Sequence, residues 1–528
     1  MRDSAFKKTA TILEIALLLF SGIYLTFFLY TGYTHLKYPF DLEWIEGGYL
    51  LQCLRIAEGY PIYISPENAE FIPYFYTPLY FYVTGYLGKI FGVNYFLGRG
   101  VSYFSIILTC ILMSIIVFRE TRSKIASFLA PAIFLSAYSF TGFWYDIVRS
   151  DSLCLLLIII SFYLILFKGN SYFVLILSSL ILVLAFLTKQ PAIYFIGFSP
   201  VAFLFNNYKK TILMLFSSLF FSLLIILPSN IITKGWFLYY VYDLPSGNEF
   251  IPSLFYHIIW TYIIKGLPFF MILLLIVFFT NLKESRNFLK SEISIWFWGL
   301  FSSMTYFVSS MVYPGGYVNG LIPLVCFLSM ISSTTLYKLS PGNKIRCLLY
   351  ILLILQVVIF SYNPRSQIPT KNDYNLGNRF LNMMSSVESD EIFVYLHSFY
   401  PVMCGKKHQI HFGAVHDALR LKTRVLPEAF YNKFRNRTFA MVILDNKIGE
   451  ENPSGIDRLI IDNYYFSHKI FNDYEEGFYT KTGSKSRPNF LYLPRNRSLG
   501  LFEKKDTKTD ELPVPKGVIK IELPDMFD

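Results

Sequence analysis

Pro78-Leu-Tyr-Phe-Tyr-Val-Thr-Gly-Tyr-Leu-Gly-Lys-Ile-Phe91 is the stretch on which the reading of this chain turns. It is apolar, but short, rich in Tyr and Gly, and interrupted by Lys89. A helix needs about 20 apolar residues to cross a bilayer. Eleven other runs meet that need, near residues 9–31, 97–118, 125–143, 152–167, 171–188, 191–206, 211–231, 263–280, 292–312, 319–337 and 346–362. If 78–91 also crosses, every later loop changes side.

Basic residues settle the matter, because short cytoplasmic loops are enriched in Lys and Arg. One set of alternate loops carries Arg119, Arg122, Lys124, Lys168, Lys209, Lys210, Lys283, Arg286, Lys290, Lys338, Lys344 and Arg346. The other carries only Arg149, Lys189, Lys234 and Lys265. The first set reads as cytoplasmic, and Arg2, Lys7 and Lys8 place the N-terminus there too. Both statements hold together only if 78–91 does not cross. It then reads as a re-entrant or interfacial helix within one long outer loop, residues 32–96. Backbone at that depth must be covered by protein or line a wet cavity.

Composition agrees with a polytopic helical membrane protein. Of 528 residues, 54% are hydrophobic, 19% aromatic and 16% charged, against about 25% charged in a soluble domain. Mean hydropathy is +0.44. A net charge of +11 would suit a nucleic-acid partner, but the loop placement of the bases excludes that reading. Six cysteines without a CxxC pair give neither a disulfide framework nor a metal cluster. The first run is too long for a cleaved signal and reads as a permanent span. After about residue 363 the chain turns polar, with strand-like runs at Glu391–Leu396 and Phe439–Leu444. Residues 1–362 therefore read as a membrane domain. Residues 363–528 read as an extracytoplasmic α/β domain ending in a loose tail that includes Lys504, Lys505 and Leu512–Lys516. Asn436-Arg-Thr438 and Asn496-Arg-Ser498 are sequons on that side.

Acidic residues near the spans fall mostly on the outer side. Asp41-Leu-Glu43-Trp-Ile-Glu46-Gly-Gly comes first. If 43–58 is one helix, Glu43 and Glu46 share a face at i, i+3 and head an apolar stripe. Burial raises a carboxylate pKa and suits it to proton transfer. A structural role, with Asp41 an N-cap and the glutamates favouring the first turn, fits the same residues. Trp144-Tyr-Asp146-Ile-Val-Arg149-Ser-Asp151 places three charges at the mouth between two spans. Arg99 and Lys189 supply cations on the same side, suited to a phosphate or to snorkelling. The loop at 232–262 offers Tyr239, Tyr240, Tyr242 and His257, for an interfacial belt or a sugar. His257 has no companion at metal-ligand spacing, and His408, His411 and His416 favour surface or core roles over zinc.

These stretches resemble a known family. Asp41-Leu-Glu-Trp-Ile-Glu-Gly-Gly, Glu58-Gly-Tyr-Pro-Ile-Tyr63 and Phe71-Ile-Pro-Tyr-Phe-Tyr-Thr-Pro78 look like the first outer loop of the GT-C membrane glycosyltransferases. The bacterial branch similar to protein O-mannosyltransferases and aminoarabinose transferases (glycosyltransferase family 39-like) is the nearest. Arg99, Asp151 and the Leu187-Thr-Lys-Gln190 turn match family positions, and the resemblance covers roughly residues 9–340. It implies a polyprenyl-phosphate sugar donor and a first-loop acid as base. It departs at Tyr76-Thr-Pro78, where the aminoarabinose transferases carry Glu-Lys-Pro, so an acidic metal ligand is missing.

The expected reaction is an inverting transfer to a lipid, glycan or protein acceptor at the outer face of the cell membrane, among membrane lipids and without nucleic acid. Asp41, Glu43 or Glu46 acts as base, and Asp151 positions it or the sugar. Arg99, Arg149 and Lys189 hold the leaving phosphate. Tyr76, Asp146, Gln190 and His257 are the further substrate-binding residues. No cofactor is required; a divalent metal is compatible with this reading but has no support in the sequence. The alternative is a transporter or flippase of lipid-linked sugars, which would place its ionisable groups near mid-membrane.

Overall fold

The computed structural model of the protein describes residues 2–66, 71–284, 293–313, 315–338, 342–415, 428–449 and 455–495. Arg286, Lys290, His416, the Asn496 sequon and the C-terminal tail lie outside the described residues.

Every apolar run becomes helix over most of its length. The first helices are α1 (Arg2–Lys37), α2 (Glu46–Ala57), α3 (Leu79–Phe91) and α4 (Tyr95–Thr121). They are followed by α5 (Lys124–Ser136), α6 (Asp151–Lys168), α7 (Tyr172–Thr188), α8 (Ile193–Phe198) and α9 (Tyr208–Ile232). Further helices at Pro268–Glu284, Ile293–Met311, Leu321–Lys338 and Asn343–Ile359 complete the bundle. Among the described residues, five helices are long and apolar enough to cross a membrane singly, and two bent pairs raise the number to seven. That is fewer than the eleven spans expected from sequence: α5 has 13 residues and α7 has 17, while α8 is a 6-residue core between 3-10 turns. Leu321–Lys338 is the central helix, with 89% of its apolar window buried. In α9 that share is 22%, which leaves its Leu and Phe side chains for lipid.

Helix α3 has 13 residues, about 20 Å at 1.5 Å per residue, short of a roughly 30 Å hydrocarbon core. It lies against α2 because Gly85 lets the backbones meet; a Cβ there would come within 2.8 Å of Ile56. Asn94 caps α4 by accepting the Leu97 N–H at 2.8 Å. Arg122, at φ 57°, ends that helix. Between α5 and α6 the chain runs irregularly from Ala137 to Ser150, largely buried, and this stretch carries Trp144, Asp146 and Arg149.

The C-terminal domain holds a four-stranded sheet of order β1-β2-β4-β3. Strands β1 (Ile392–Val394) and β2 (Met441–Leu444) are parallel, within the two runs expected from sequence. Strands β3 (Tyr464–Lys469) and β4 (Phe490–Pro494) close the sheet antiparallel. The loop at 480–486 leaves the sheet and docks on the membrane half: Lys481 and Thr482 N–H groups donate to the Leu42 carbonyl at 2.8 and 3.0 Å. The Thr482 hydroxyl also donates to the Gly142 carbonyl.

Candidate active site

Helix α2 begins at Glu46, so Glu43 precedes the helix and does not share a helical face with Glu46. This corrects the single-helix expectation and separates the three acids into three environments.

Glu46 is wholly buried. Its carboxylate accepts the N–H groups of Leu42 at 2.6 Å and Val148 at 2.8 Å. Arg99 reaches it with Nε at 2.9 Å and Nη2 at 2.6 Å. The rest of that guanidinium donates to the carbonyls of His35 (2.8 Å), Tyr38 and Phe40 (2.5 Å). A guanidinium has five N–H donors, and all five are used here. Arg99 therefore has none left for a phosphate, and Glu46, neutralised and multiply bonded, is no base. Both expectations are corrected: the pair ties the first loop, α4 and the 144–150 segment together.

Asp41 also faces inward. One oxygen accepts the Gly47 N–H at 3.1 Å and the Tyr95 hydroxyl at 2.8 Å. The other meets His397 Nδ1 at 2.7 Å, while His397 Nε2 meets Asp445 Oδ1 at 2.9 Å. Burial works against a charge on His397, but Asp445 and Asp41 on either side push its pKa up to about 10. The imidazolium thus clamps the C-terminal domain to the first loop, and Asp41 is a docking residue that does not line the cavity.

Glu43 does line it. A cavity of about 720 Å³ opens between the first loop, the 144–149 segment, the start of α8 and the C-terminal domain. Glu43 is 1% exposed and accepts the Ile45 N–H at 3.1 Å. Burial raises its pKa to about 7 against the pull of Arg149. Gly483, at φ +69°, presses on it; a Cβ there would stand 3.0 Å from Glu43 Cγ.

Arg149 shares the cavity wall. Its guanidinium carbon lies 4.3 Å from the Trp144 ring centroid and 4.7 Å from that of Tyr49, with the Tyr76 hydroxyl 3.5 Å from Nη2. Nε and Nη1 are buried without a hydrogen-bond partner. Buried N–H donors are rarely left so, and aromatic faces hold a cation in place without consuming its donors. Lys189 sits in the extended break between α7 and the 3-10 turn at Gln190–Ala192. It is paired with Asp151, the first residue of α6, which also accepts from Asn319 at 2.8 Å. Gln190 donates to the Phe75 carbonyl at 2.6 Å.

Lys189, Gln190 and Tyr76 thus meet Glu43 and Arg149 at one cavity, with Asp151 directly behind Lys189. Two expected substrate-binding residues do not. Asp146 is buried between His35 (2.8 Å) and the Tyr138 hydroxyl (2.5 Å), away from the cavity wall. His257 is exposed on the short helix Pro252–Ile258 and does not line the cavity. Among the described residues no three His, Cys, Asp or Glu groups converge as metal ligands. Where the resembled transferases would place an acidic ligand, Tyr76 offers a phenol to Arg149. His411 is a core residue: Nε2 bonds the Leu396 and Trp44 carbonyls, Nδ1 accepts from Gly413, and burial pushes its pKa down to about 4.

Sequence reasoning missed His397, Asp445 and Gly483. His397 and Asp445 follow the carboxyl ends of the parallel strands β1 and β2, where α/β sheets commonly place functional groups. That position was the available signal. Gly483 had none.

No family model and no curated protein matches this chain. Its fold is similar to solved structures of ArnT from Cupriavidus metallidurans. The form bound to undecaprenyl phosphate is 12% identical, with a TM-score of 0.55, covering 90% of this chain and 97% of that one. The apo form is 11% identical, with a TM-score of 0.55, covering 89% and 97%. The architecture is the GT-C fold, a helical membrane domain followed by a C-terminal α/β domain.

Proposed function

We propose that this protein is a membrane glycosyltransferase that moves a sugar from a polyprenyl phosphate to an acceptor on the extracytoplasmic face. The observation that carries the reading is the pairing, at one cavity, of a carboxyl poised near neutrality with a buried arginine two of whose nitrogens are unbonded. The GT-C fold, seen with undecaprenyl phosphate bound in ArnT, supports the lipid phosphate as donor.

Chemically the parts suffice. Glu43, ionised, accepts the proton of an acceptor hydroxyl as its oxygen attacks the anomeric carbon. The bond from that carbon to the phosphate oxygen breaks, and its electron pair leaves with the polyprenyl phosphate. The free N–H groups of Arg149, with the Lys189 ammonium, take up the charge that grows on the leaving oxygen. Attack from the side opposite the phosphate inverts the anomeric centre. Asp151 and Asn319 hold Lys189 on the wall, and Gln190 ties that wall to Phe75. The basic-residue pattern of the loops supports a cytoplasmic N-terminus and a cavity on the far side of the membrane.

The test is a transfer assay in membrane vesicles supplied with labelled polyprenyl-phosphate sugars. Glu43→Gln is expected to lower the rate by about 10²–10⁴-fold, the usual share of a general base. Unchanged transfer would remove Glu43 from the chemistry.

A further inference from the structure

All the charged groups on the cavity wall come from one half of the molecule. From the membrane half come the charged side chains Glu43, Arg149 and Lys189. From the C-terminal domain come Tyr395, Leu396, Phe412, Gly413, Gly483 and Ser484, with no charge among them. Tyr395 and Phe412 are stacked, ring centroids 3.8 Å apart. The membrane half adds uncharged groups of its own, among them Trp144, Asn248 and Ser309.

Charge counting limits what that side can receive. Lys189 is already paired with Asp151, and a leaving phosphate engages Arg149. A second anionic group on the acceptor would then find no cation. A cationic acceptor would find only Glu43, which must stay unpaired to take a proton. The stacked Tyr395 and Phe412 rings beside the Ser484 hydroxyl instead suit a molecule with apolar C–H faces and neutral hydroxyls.

We propose that the C-terminal domain forms the acceptor side of the cavity and that the acceptor is an uncharged saccharide presenting a hydroxyl. This deepens the transferase reading and rests on it. The step balances as above: the saccharide oxygen gains the anomeric carbon, its proton passes to Glu43, and the polyprenyl phosphate leaves with the electron pair.

The experiment uses the full-length protein in nanodiscs with labelled undecaprenyl-phosphate hexoses and pentoses. Three acceptors compete: a neutral oligosaccharide, the same oligosaccharide bearing a phosphate, and a Ser/Thr peptide. The neutral oligosaccharide is expected to be used with at least about tenfold higher kcat/KM, the cost of leaving a charged group without its partner. Ser484→Ala and Tyr395→Leu should each raise its KM several-fold while undecaprenyl phosphate still binds as in the native protein. Preference for the phosphorylated acceptor or the peptide would overturn the inference and leave the transferase standing. So would binding and hydrolysis of the donor with transfer to none of the three. Failure to bind undecaprenyl phosphate at all would overturn the transferase reading itself.

Discussion

Two buried arginines each meet a glutamate of the first loop, and the couples differ in how completely they are satisfied. Arg99 spends every donor on Glu46 and three backbone carbonyls. Arg149 faces Glu43 across a cavity, held by aromatic rings, with two nitrogens unbonded. A buried charge with every partner in place fixes structure, because any change leaves a bare charge behind. A buried charge with donors to spare is costly to keep, and a ligand can recover that cost. In a membrane protein crowded with ionisable groups, unsatisfied hydrogen-bonding capacity marks a candidate site better than charge does.

Substitutions can break this contrast. Arg99→Leu should have the largest effect, leaving Glu46 buried and uncompensated at a cost of about 3–5 kcal/mol. A thermal melt in detergent should show a collapse in folded yield. Arg149→Met should fold, with a stability loss of about 1 kcal/mol from the lost cation–π contacts. Its transfer rate should fall by about 10²–10³-fold, as when an oxyanion donor is removed. Equal melting losses in the two variants would erase the distinction. Changing pH sharpens it further. Glu43, raised to about 7, is protonated below that value, so transfer should fall about tenfold for each pH unit below it. A raised carboxyl pKa stabilises the fold below the unfolded pKa, and that contribution is lost as pH rises through about 7. Above pH 7, therefore, Glu43→Gln should melt no lower than the native protein.

Much of the architecture is legible in the sequence, because apolar runs and loop charges report directly on bilayer crossing. The 78–91 stretch is helical, as expected, and at 13 residues α3 is no shorter than α5, which the sequence counts as a span. The first loop and the 144–151 segment were legible as places where charge gathers. The roles within them were not. Arg99 is decided by the carbonyls of His35, Tyr38 and Phe40, and backbone acceptors leave no mark on residue identity. Glu43 and Glu46 part company because α2 starts three residues later than expected, and a helix start is the least certain feature of a sequence pattern. Asp146 looked like a site residue by proximity to Arg149, but its partner His35 lies 111 positions away.

The docking of His397 on Asp41 spans 356 positions of chain, and Gly483 reaches Glu43 from farther still. At roughly 5–20 residues per second, translation takes about 20–70 s to bring His397 out after Asp41. During that interval the first loop has its acids but not the surface that seats them. The cavity wall at Glu43 is therefore finished only when the last domain has emerged and folded, so the site is assembled by the end of synthesis and not by its beginning.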